Sequence, residues 1–375
     1  MYEGNNIEGI RKGVSGFNNL TLSFVQQVNS SDNKEIDLSI EGIPNKDANY
    51  EYWEQYQLYE KMLKPMIESN NFENIKVAYG GATTVGYLEK NPWDVALRMT
   101  GSQRSSTATA TPNEINQATS YLEAALVKYQ ENLAKIATKY SKKEQKMPKS
   151  IDFDIEGQAQ YQEDELKVLG KTMANMKKKD SSWDFSLTLP VLPTGLTNVG
   201  YNVMNIINKE FKAAGLSQNQ VPIVNLMLMD YFDPIYVSAK AKGETNFDLA
   251  KQAIENTRNN LATSLEENWG TIGVKANKLY SLIGATPMIG VNDTVQGVFT
   301  LEDAKELYNY AQVRNLAYIG MWSMNDDRGR QNNRHVNKSL VTHGLAYLEE
   351  YDFARAFSGD WTDKVKVPRK EWIIN

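Results

Sequence analysis

The sequence contains no cysteine and only two histidines, His335 and His343, among its 375 residues. Without cysteine the chain can form no disulfide bond, no thiolate metal site and no cysteine nucleophile. Two isolated histidines near the C-terminus are weak evidence for a zinc site or for a histidine-based catalytic triad. We therefore predict that the chain uses no metal and no cofactor, and that both histidines are structural or lie at the surface.

Long apolar runs and an excess of positive charge are also absent. No stretch approaches the ~20 uninterrupted apolar residues that cross a bilayer, and the opening MYEGNNIEGIRKG lacks the apolar core of a signal peptide. The formal net charge of -5 argues against a nucleic-acid partner, which would favour a basic patch. We expect a soluble chain that binds neither nucleic acid nor a membrane.

Short apolar runs alternate with helical patterns along the chain, which predicts an α/β fold with parallel strands. No internal repeat or composition shift divides the sequence, and α/β barrels reach this length as one unit. Residues 1–375 are therefore predicted to form a single (β/α)8 TIM barrel domain. The predicted strands lie near 20–26, 36–43, 75–81, 151–156, 186–192, 222–229, 284–290 and 317–322. The predicted helices cover 52–68, 115–140, 200–214, 244–266 and 302–314.

One predicted strand, in KSIDFDIEGQ, carries three carboxylates at alternate positions. Strand geometry sends Asp152, Asp154 and Glu156 to one face and the apolar residues between them to the other. In a barrel the acids would face the interior, with Glu156 nearest the mouth where catalytic groups collect. Same-face neighbours are ~6–7 Å apart, so the three groups resist ionising together and share a proton. An acid still protonated near neutral pH is what cleavage of a glycosidic bond requires.

Two other interpretations of these residues stay open. An acidic strand face that simply meets water is common in antiparallel sheets. The spacing also fits a calcium-binding EF-hand loop, with candidate ligands and a glycine at Asp152, Asp154, Glu156, Gly157 and Glu163. Against calcium, bulky strand formers stand between the acids, and Pro148 interrupts the helix that should lead into such a loop.

The segment IDFDIEG resembles the strand-four signature D-x-x-D-x-D-x-E of family 18 glycoside hydrolases, the chitinases and their relatives. VAYGGAT resembles the S-x-G-G segment of strand three, with Gly80 and Gly81 in place. LTLPVLPTGLT, VNLMLMDYFDP, TPMIGVND and YIGMWSMNDD resemble strands five to eight, and VFTLEDAKEL the helix after strand seven. The resemblance spans about residues 18–328 and implies the (β/α)8 barrel.

This resemblance implies a retaining reaction in which the substrate's own 2-acetamido oxygen attacks. Glu156 would act as acid and base, Asp154 would orient the acetamido group, Asp152 would set the protonation of Asp154, and Tyr231 would hold the acetamido carbonyl. The resemblance further implies a set of substrate-binding residues, with Trp322 as the floor of the cleaving subsite: Trp322, Met229, Asp230, Gly80 and Gly81.

The implied substrate is chitin or another N-acetylglucosamine-containing glycan. Only about ten residues separate Gly290 from the helix predicted to start at Leu301, which is too few for the groove-deepening insertion of exo-acting members. An endo-acting, monomeric, extracellular enzyme is therefore expected. The alternatives are an endo-β-N-acetylglucosaminidase acting on N-glycans and a catalytically silent chitin-binding lectin. Such lectins usually lack the Glu of the signature or the Asp before it, and this sequence has both, as Glu156 and Asp154.

Some positions depart from the family pattern. The first Asp of the signature falls on Lys149, and the Ser of S-x-G-G is replaced by Ala78 or Tyr79, depending on register. Loss of the outer Asp predicts an altered proton-sharing network with the acid retained. On strand six, the order Met-Asp-Tyr leaves Asp230 and Asp233 as alternatives for a second polar contact.

Overall fold

A parallel sheet lies at the centre of the fold. The computed structural model describes residues 14, 19–28, 35–40, 64, 67, 74–84, 87–105, 107–327, 342–345 and 347–361. Its strands are β1 (Thr21–Gln27), β2 (Leu38–Ile40), β3 (Lys76–Gly80), β4 (Ser150–Asp154), β5 (Asp184–Leu192), β6 (Gly195–Leu196), β7 (Ile223–Leu228), β8 (Ile283–Pro287), β9 (Gly290–Val291), β10 (Val298–Phe299) and β11 (Tyr318–Ile319).

The parallel strands follow the order β1-β3-β4-β5-β7-β8-β11. This confirms the mixed α/β class and seven of the predicted strands. The strand predicted near 36–43 is present as β2, but it runs antiparallel to β1, so its predicted parallel direction is wrong. Strands β9 and β10 form a separate hairpin, and β6 pairs antiparallel with β5.

The helices are α1 (Pro92–Arg98), α2 (Pro112–Ser141), α3 (Glu163–Lys179), α4 (Asn198–Ala213), α5 (Asp233–Lys242), α6 (Asn246–Trp269), α7 (Leu301–Arg314) and α8 (Asp352–Phe357). Helices α2, α3, α4 and α6 pack side by side in chain order, as connections between parallel strands require. The helix predicted over 52–68 lies outside the described residues except for Lys64 and Ile67. No helix in the described ranges is both long enough and apolar enough to cross a membrane.

Capping explains where the long helix α2 begins. Thr111 accepts a hydrogen bond from the backbone N–H of Glu114, and the Glu114 carboxylate accepts one from the backbone N–H of Thr111. This capping box, followed by Pro112 at the first helical position, satisfies backbone donors that the helix cannot use itself. The helix ends where Lys142 adopts a left-handed conformation. The helix therefore has a defined start and a defined end before the chain enters β4.

The outer face of the sheet is apolar and fixes the position of β4. Ile151 and Phe153 are fully buried beneath the helices. The Phe153 ring lies 5.9 Å from Tyr79, 5.8 Å from Trp93 and 6.5 Å from Phe185, measured between ring centroids. Because such a ring contributes roughly 3–5 kcal/mol to stability, Phe153 anchors the strand that carries the acids.

The sheet is curved, so that side chains from its opposite ends meet on the inner face. The Phe24 ring of β1 lies 5.6 Å from the ring of Trp322, which follows β11. The Nζ atom of Lys76, at the start of β3, lies 4.6 Å from the centre of the Tyr318 ring in β11. These contacts span the concave face, onto which the alternate residues of each strand project.

Candidate active site

The three predicted acids lie along the inner face at the carboxyl end of β4. Asp152 and Asp154 belong to the strand and are 4% and 5% exposed, whereas Glu156 follows the strand in an extended conformation and is half-buried. The backbone carbonyl of Glu156 accepts a hydrogen bond from the N–H of Ala159, which begins a short 3-10 turn. The acids therefore form one stripe, as predicted, and Glu156 is its most accessible member.

Asp152 is fixed by hydroxyl groups of the neighbouring strand β5. Its Oδ1 accepts a hydrogen bond from Ser186, and its Oδ2 accepts one from Thr188 at 2.7 Å. Burial raises the pKa of Asp152, while the charge of Lys76 and these two hydrogen bonds oppose that rise. Both carboxylate oxygens are thus occupied within the protein.

Asp154 and Glu156 form an interacting pair of carboxyl groups, linked by a side-chain hydrogen bond. Burial raises the pKa of Asp154 well above its ordinary value, and the negative charges of Glu156 and Asp152 raise it further. Burial also raises the pKa of Glu156, whereas the hydrogen bond from Asp154 lowers it and the charge of Asp230 raises it. The two carboxyl groups therefore resist ionising together. Among the described residues, Asp154 Oδ1 is buried without a hydrogen-bond partner.

Gly80 and Gly81 support this stripe through close backbone contact. Gly80 has φ +110° and Gly81 has φ +87°, a region that favours glycine. A Cβ atom on Gly80 would lie 2.1 Å from the carbonyl oxygen of Asp154, and one on Gly81 would lie 2.6 Å from the Phe24 ring. The N–H of Gly81 also donates to the carbonyl of Asp154 at 3.2 Å. The two glycines thus position Asp154; their predicted contact with substrate stays a prediction.

Tyr231 follows β7 and has a buried, unused hydroxyl. The side chain is 3% exposed, and its Oη has no hydrogen-bond partner within the described part of the chain. Its ring lies 5.6 Å from that of Tyr236, whose Oη accepts a hydrogen bond from the backbone N–H of Tyr231 at 3.1 Å. Burial raises the pKa of Tyr231 well above its ordinary value, so the phenol keeps its proton for donation.

The two aspartates left as alternatives, Asp230 and Asp233, follow β7 and have different positions. Asp230, at φ +50°, accepts hydrogen bonds from the N–H groups of Asp293 and Thr294 at 2.9 and 3.3 Å. Asp233 accepts instead from the N–H of Gln296 at 3.0 Å. Both hold the β9–β10 hairpin, but it is Asp230 whose charge raises the pKa of Glu156. Asp230 is therefore the member near the acids.

Trp322 lies at the end of the inner face, beyond β11. Its side chain is 38% exposed. Its backbone N–H donates to the carbonyl of Pro287 at 2.9 Å, and its carbonyl accepts from the N–H of Ile289 at 3.0 Å, which extends the pairing of β8 with β11. Met229 is half-buried, between β7 and Asp230. A partly exposed aromatic ring with a fixed backbone suits the apolar face of a sugar.

Lys149 lies at the opposite end of β4 from Glu156. Its Nζ donates to Asp180 at 2.6 Å and to Ser182 at 3.1 Å, in a partly exposed ion pair. The residue at the family's first Asp position is therefore directed away from the acid stripe. What sequence reasoning missed is the set that does contact Asp152, namely Ser186 and Thr188, with Lys76 behind them.

The calcium-loop interpretation is wrong. Asp152 and Asp154 belong to a parallel strand and Gly157 begins a 3-10 turn, whereas an EF-hand loop wraps around its ion. Both carboxylate oxygens of Asp152 already accept hydrogen bonds from hydroxyl groups. The interpretation as a solvated antiparallel strand face is also wrong, because β4 is parallel and its acids are buried.

Comparison with known sequences finds chitinases. No protein-family model matches the chain. It is 34% identical over 220 residues to the "Probable bifunctional chitinase/lysozyme" of Escherichia coli (strain K12), an alignment covering 56% of this chain and 22% of that protein. It is 36% identical over 185 residues to "Endochitinase 11" of Metarhizium anisopliae, covering 48% of this chain and 33% of that protein. The matched region thus spans a third or less of these relatives.

Comparison of folds gives the same group. The catalytic domain of a hyperthermophilic chitinase from Pyrococcus furiosus is 20% identical, with a TM-score of 0.57 over 94% of this chain and 89% of that one. Catalytic-site mutants of active domain 2 of a Pyrococcus furiosus chitinase give a TM-score of 0.58 at 20% identity, over 94% of this chain and 89% of that one. The chain therefore has a fold similar to that of these chitinase catalytic domains, and about half of its sequence is similar to part of the curated chitinases.

Proposed function

We propose that this chain is an endo-acting chitinase that hydrolyses β-1,4-N-acetylglucosamine linkages with retention of configuration. The observation that carries the proposal is the hydrogen-bonded pair of Asp154 and Glu156 at the carboxyl end of β4, where burial raises the pKa of both carboxyl groups. A glycosidase needs one carboxyl group that is protonated near neutral pH. The relatives named as chitinases, and a similar fold solved with chito-oligosaccharides, support chitin as the substrate.

Glu156 acts twice in this reaction. It donates a proton to the leaving glycosidic oxygen while the carbonyl oxygen of the substrate's 2-acetamido group attacks the anomeric carbon. The bond from the anomeric carbon to the glycosidic oxygen breaks, and an oxazolinium-type ring forms. The Glu156 carboxylate then takes a proton from water, whose oxygen attacks the anomeric carbon and opens that ring. Two successive inversions give retention.

Asp154 links proton delivery to substrate binding. Without substrate, its proton is directed at Glu156, and its buried Oδ1 has no partner within the described residues. The acetamido N–H of a bound sugar supplies that partner, which favours ionised Asp154 and leaves the shared proton on Glu156. Burial and the charge of Asp230 both favour protonated Glu156. Substrate binding therefore favours the protonated form of Glu156 that the first step requires.

Tyr231 and Trp322 position the sugar in this proposal. The unpartnered Tyr231 hydroxyl donates to the acetamido carbonyl oxygen and holds it in line with the anomeric carbon. The accessible face of Trp322 stacks beneath the pyranose. The contact between Trp322 and Phe24 supports closure of the sheet into the predicted (β/α)8 barrel, with the cleft across its carboxyl end.

Endo cleavage follows from the short connection after β8. Between β8 and α7 stands only the two-stranded hairpin β9–β10, all of it within the described residues. We propose that this hairpin leaves the groove open at both ends, so that the enzyme cuts within a polymer chain. Because a chitin polymer does not cross a membrane, the proposed site of action is extracellular.

The test is hydrolysis of a chitin hexamer by the native protein and by Glu156→Gln. The native protein should release oligomers of several sizes, and the variant should bind the hexamer but cleave it at least ~10³-fold more slowly. Glu163→Gln is a matched control, since Glu163 pairs with Lys167 at the surface of α3 and should retain full activity.

Other outcomes identify other functions. If the native protein binds the hexamer but does not cleave it, the chain is a chitin-binding lectin. If it neither binds nor cleaves the hexamer but releases glycans from a high-mannose glycoprotein, it is an endo-β-N-acetylglucosaminidase. Release of one product size from chain ends would contradict endo cleavage.

A further inference from the structure

A lysine stands behind the acid stripe, inside the curve of the sheet. Lys76 begins β3, and strand alternation places its side chain on the same face as Ala78 and Gly80. Its Nζ donates to the hydroxyl of Ser186 at 2.9 Å and lies 4.6 Å from the centre of the Tyr318 ring. The Ser186 hydroxyl in turn donates to Oδ1 of Asp152. One hydroxyl group therefore separates the ammonium from the carboxylate.

The chemistry of these groups fixes the direction of the hydrogen bonds. An ammonium group has three protons and no lone pair, so Lys76 can only donate to Ser186. With its oxygen accepting from Lys76, Ser186 directs its own proton at Asp152. On the other side, the Asn225 amide donates to Thr188 at 2.9 Å, and Thr188 donates to Oδ2 of Asp152 at 2.7 Å. Both branches deliver a proton donor to Asp152, which satisfies it as a carboxylate.

Several ionisable groups face Asp152. Asp154 stands beside it on β4 and disfavours its charge, as does its own burial. Tyr318 faces it from β11, and burial raises the pKa of that phenol well above its ordinary value, so Tyr318 is neutral. Within the described part of the chain, Lys76 is the cation whose charge favours ionised Asp152. Lys149, by contrast, is paired with Asp180.

We propose that Lys76, acting through Ser186, is a positioning residue that holds Asp152 as a carboxylate and so confines the stripe's proton to Asp154 and Glu156. Its consequence for catalysis rests on the proposed function. If Asp152 took up a proton, Asp154 would lose the negative neighbour that favours its protonated state, and the proton supply to Glu156 would change. The interior lysine thus sets where the proton lies without touching the substrate.

The test compares Lys76→Met and Ser186→Ala with the native protein and with Lys149→Met. Lys76→Met keeps the length of the side chain and removes its charge, and Ser186→Ala removes only the connecting hydroxyl. The protein is labelled with 13C at the aspartate carboxyl carbons, and the Asp152 resonance is assigned by its loss in Asp152→Asn. We expect the Asp152 titration to move up by ~1–2 pH units in the two interior variants and to stay unchanged in Lys149→Met.

Activity supplies the second readout. The acidic limb of the kcat profile on a chitin hexamer should move to higher pH in Lys76→Met and Ser186→Ala, since Asp152 then takes up a proton earlier as pH falls. A lower kcat with an unmoved limb and an unmoved Asp152 titration would overturn the proposal and leave Lys76 a packing residue. The NMR titration decides this even for a protein that cleaves no chitin, so failure of the proposed function is seen separately. If Lys76→Met does not fold, the Asp152 titration and the kcat profile of Ser186→Ala alone test the proposal.

Discussion

Gly80 lies directly against the backbone of Asp154, with the position of a Cβ atom on Gly80 only 2.1 Å from the Asp154 carbonyl oxygen. The two residues are partners in the parallel pairing of β3 with β4. The side chain of Trp93, in α1, lies 3.4 Å from the same Cβ position, within van der Waals contact. The conformation of Asp154 therefore depends on the absence of a side chain at Gly80.

This contact predicts the effect of Gly80→Ala. The alanine would meet a backbone atom and adopt an unfavourable positive φ, so we expect a loss of about 3 kcal/mol or more in the free energy of unfolding. Activity in the folded fraction should also fall, since Asp154 is displaced. Gly101→Ala is the matched control: Gly101 has φ +89° and nothing within 4 Å of the Cβ position, so it carries only the conformational cost of ~1–2 kcal/mol. If denaturant unfolding shows the same loss in the free energy of unfolding for Gly80→Ala and Gly101→Ala, the predicted clash with Asp154 is wrong.

The Tyr231 hydroxyl predicts opposite effects on stability and activity. Because Oη is buried and has no partner among the described residues, Tyr231→Phe should leave stability unchanged or raise it by about 1 kcal/mol. The same change removes the donor to the acetamido carbonyl, so kcat should fall by ~10²–10³-fold. Tyr236→Phe should have the opposite pattern, with lower stability and retained activity. It leaves the Tyr231 N–H unsatisfied, which should destabilise the protein by ~1–3 kcal/mol. Full activity of Tyr231→Phe would rule out its proposed role.

Strand alternation was enough to predict the acid stripe, because the period of two in IDFDIE decides which residues share a face. The same rule applied to IKVAYGG places Lys76 on that face, a signal that was present and unused. Its contact with Ser186 could not be predicted, since it depends on the register between strands and the curvature of the sheet. Likewise, the direction of β2 depends on its pairing with β1, which local sequence does not encode.

Asp327 predicts a dependence of stability on pH. Its carboxyl accepts hydrogen bonds from the N–H groups of Phe353 and Ala354 at 3.2 and 2.7 Å, and burial raises its pKa to about 7. A pKa raised on folding means that the native state binds more protons, so this stabilising effect is full below about pH 4 and is lost as pH rises through 7. Ionisation of Asp327 should lower the free energy of unfolding by up to about 4 kcal/mol as pH rises over that range.

The measurement is urea unfolding of the native protein and of Asp327→Asn between pH 4 and pH 8. Other buried acids, such as Glu165, also have raised pKa values, so the free energy of unfolding of Asp327→Asn should still depend on pH to some extent. The difference between the two proteins should grow towards low pH in favour of the native one. A difference that is constant across this range would show that Asp327 does not titrate between the folded and unfolded states as its burial requires.

The acetamido group predicts which polymers are cleaved. In the proposed reaction the nucleophile belongs to the substrate, since Glu156 is committed to proton transfer and Asp154 to the acetamido N–H. Cellulose oligomers, which lack this group, should not be cleaved at all. Fully deacetylated chitosan oligomers keep a nitrogen but have no carbonyl oxygen, and they should also resist hydrolysis. The measurement is product analysis after incubation with hexamers of the three polymers at equal concentration. Cleavage of the cellulose hexamer would require an enzyme carboxylate as nucleophile, and the substrate-assisted mechanism would then be wrong even if Glu156 is the acid.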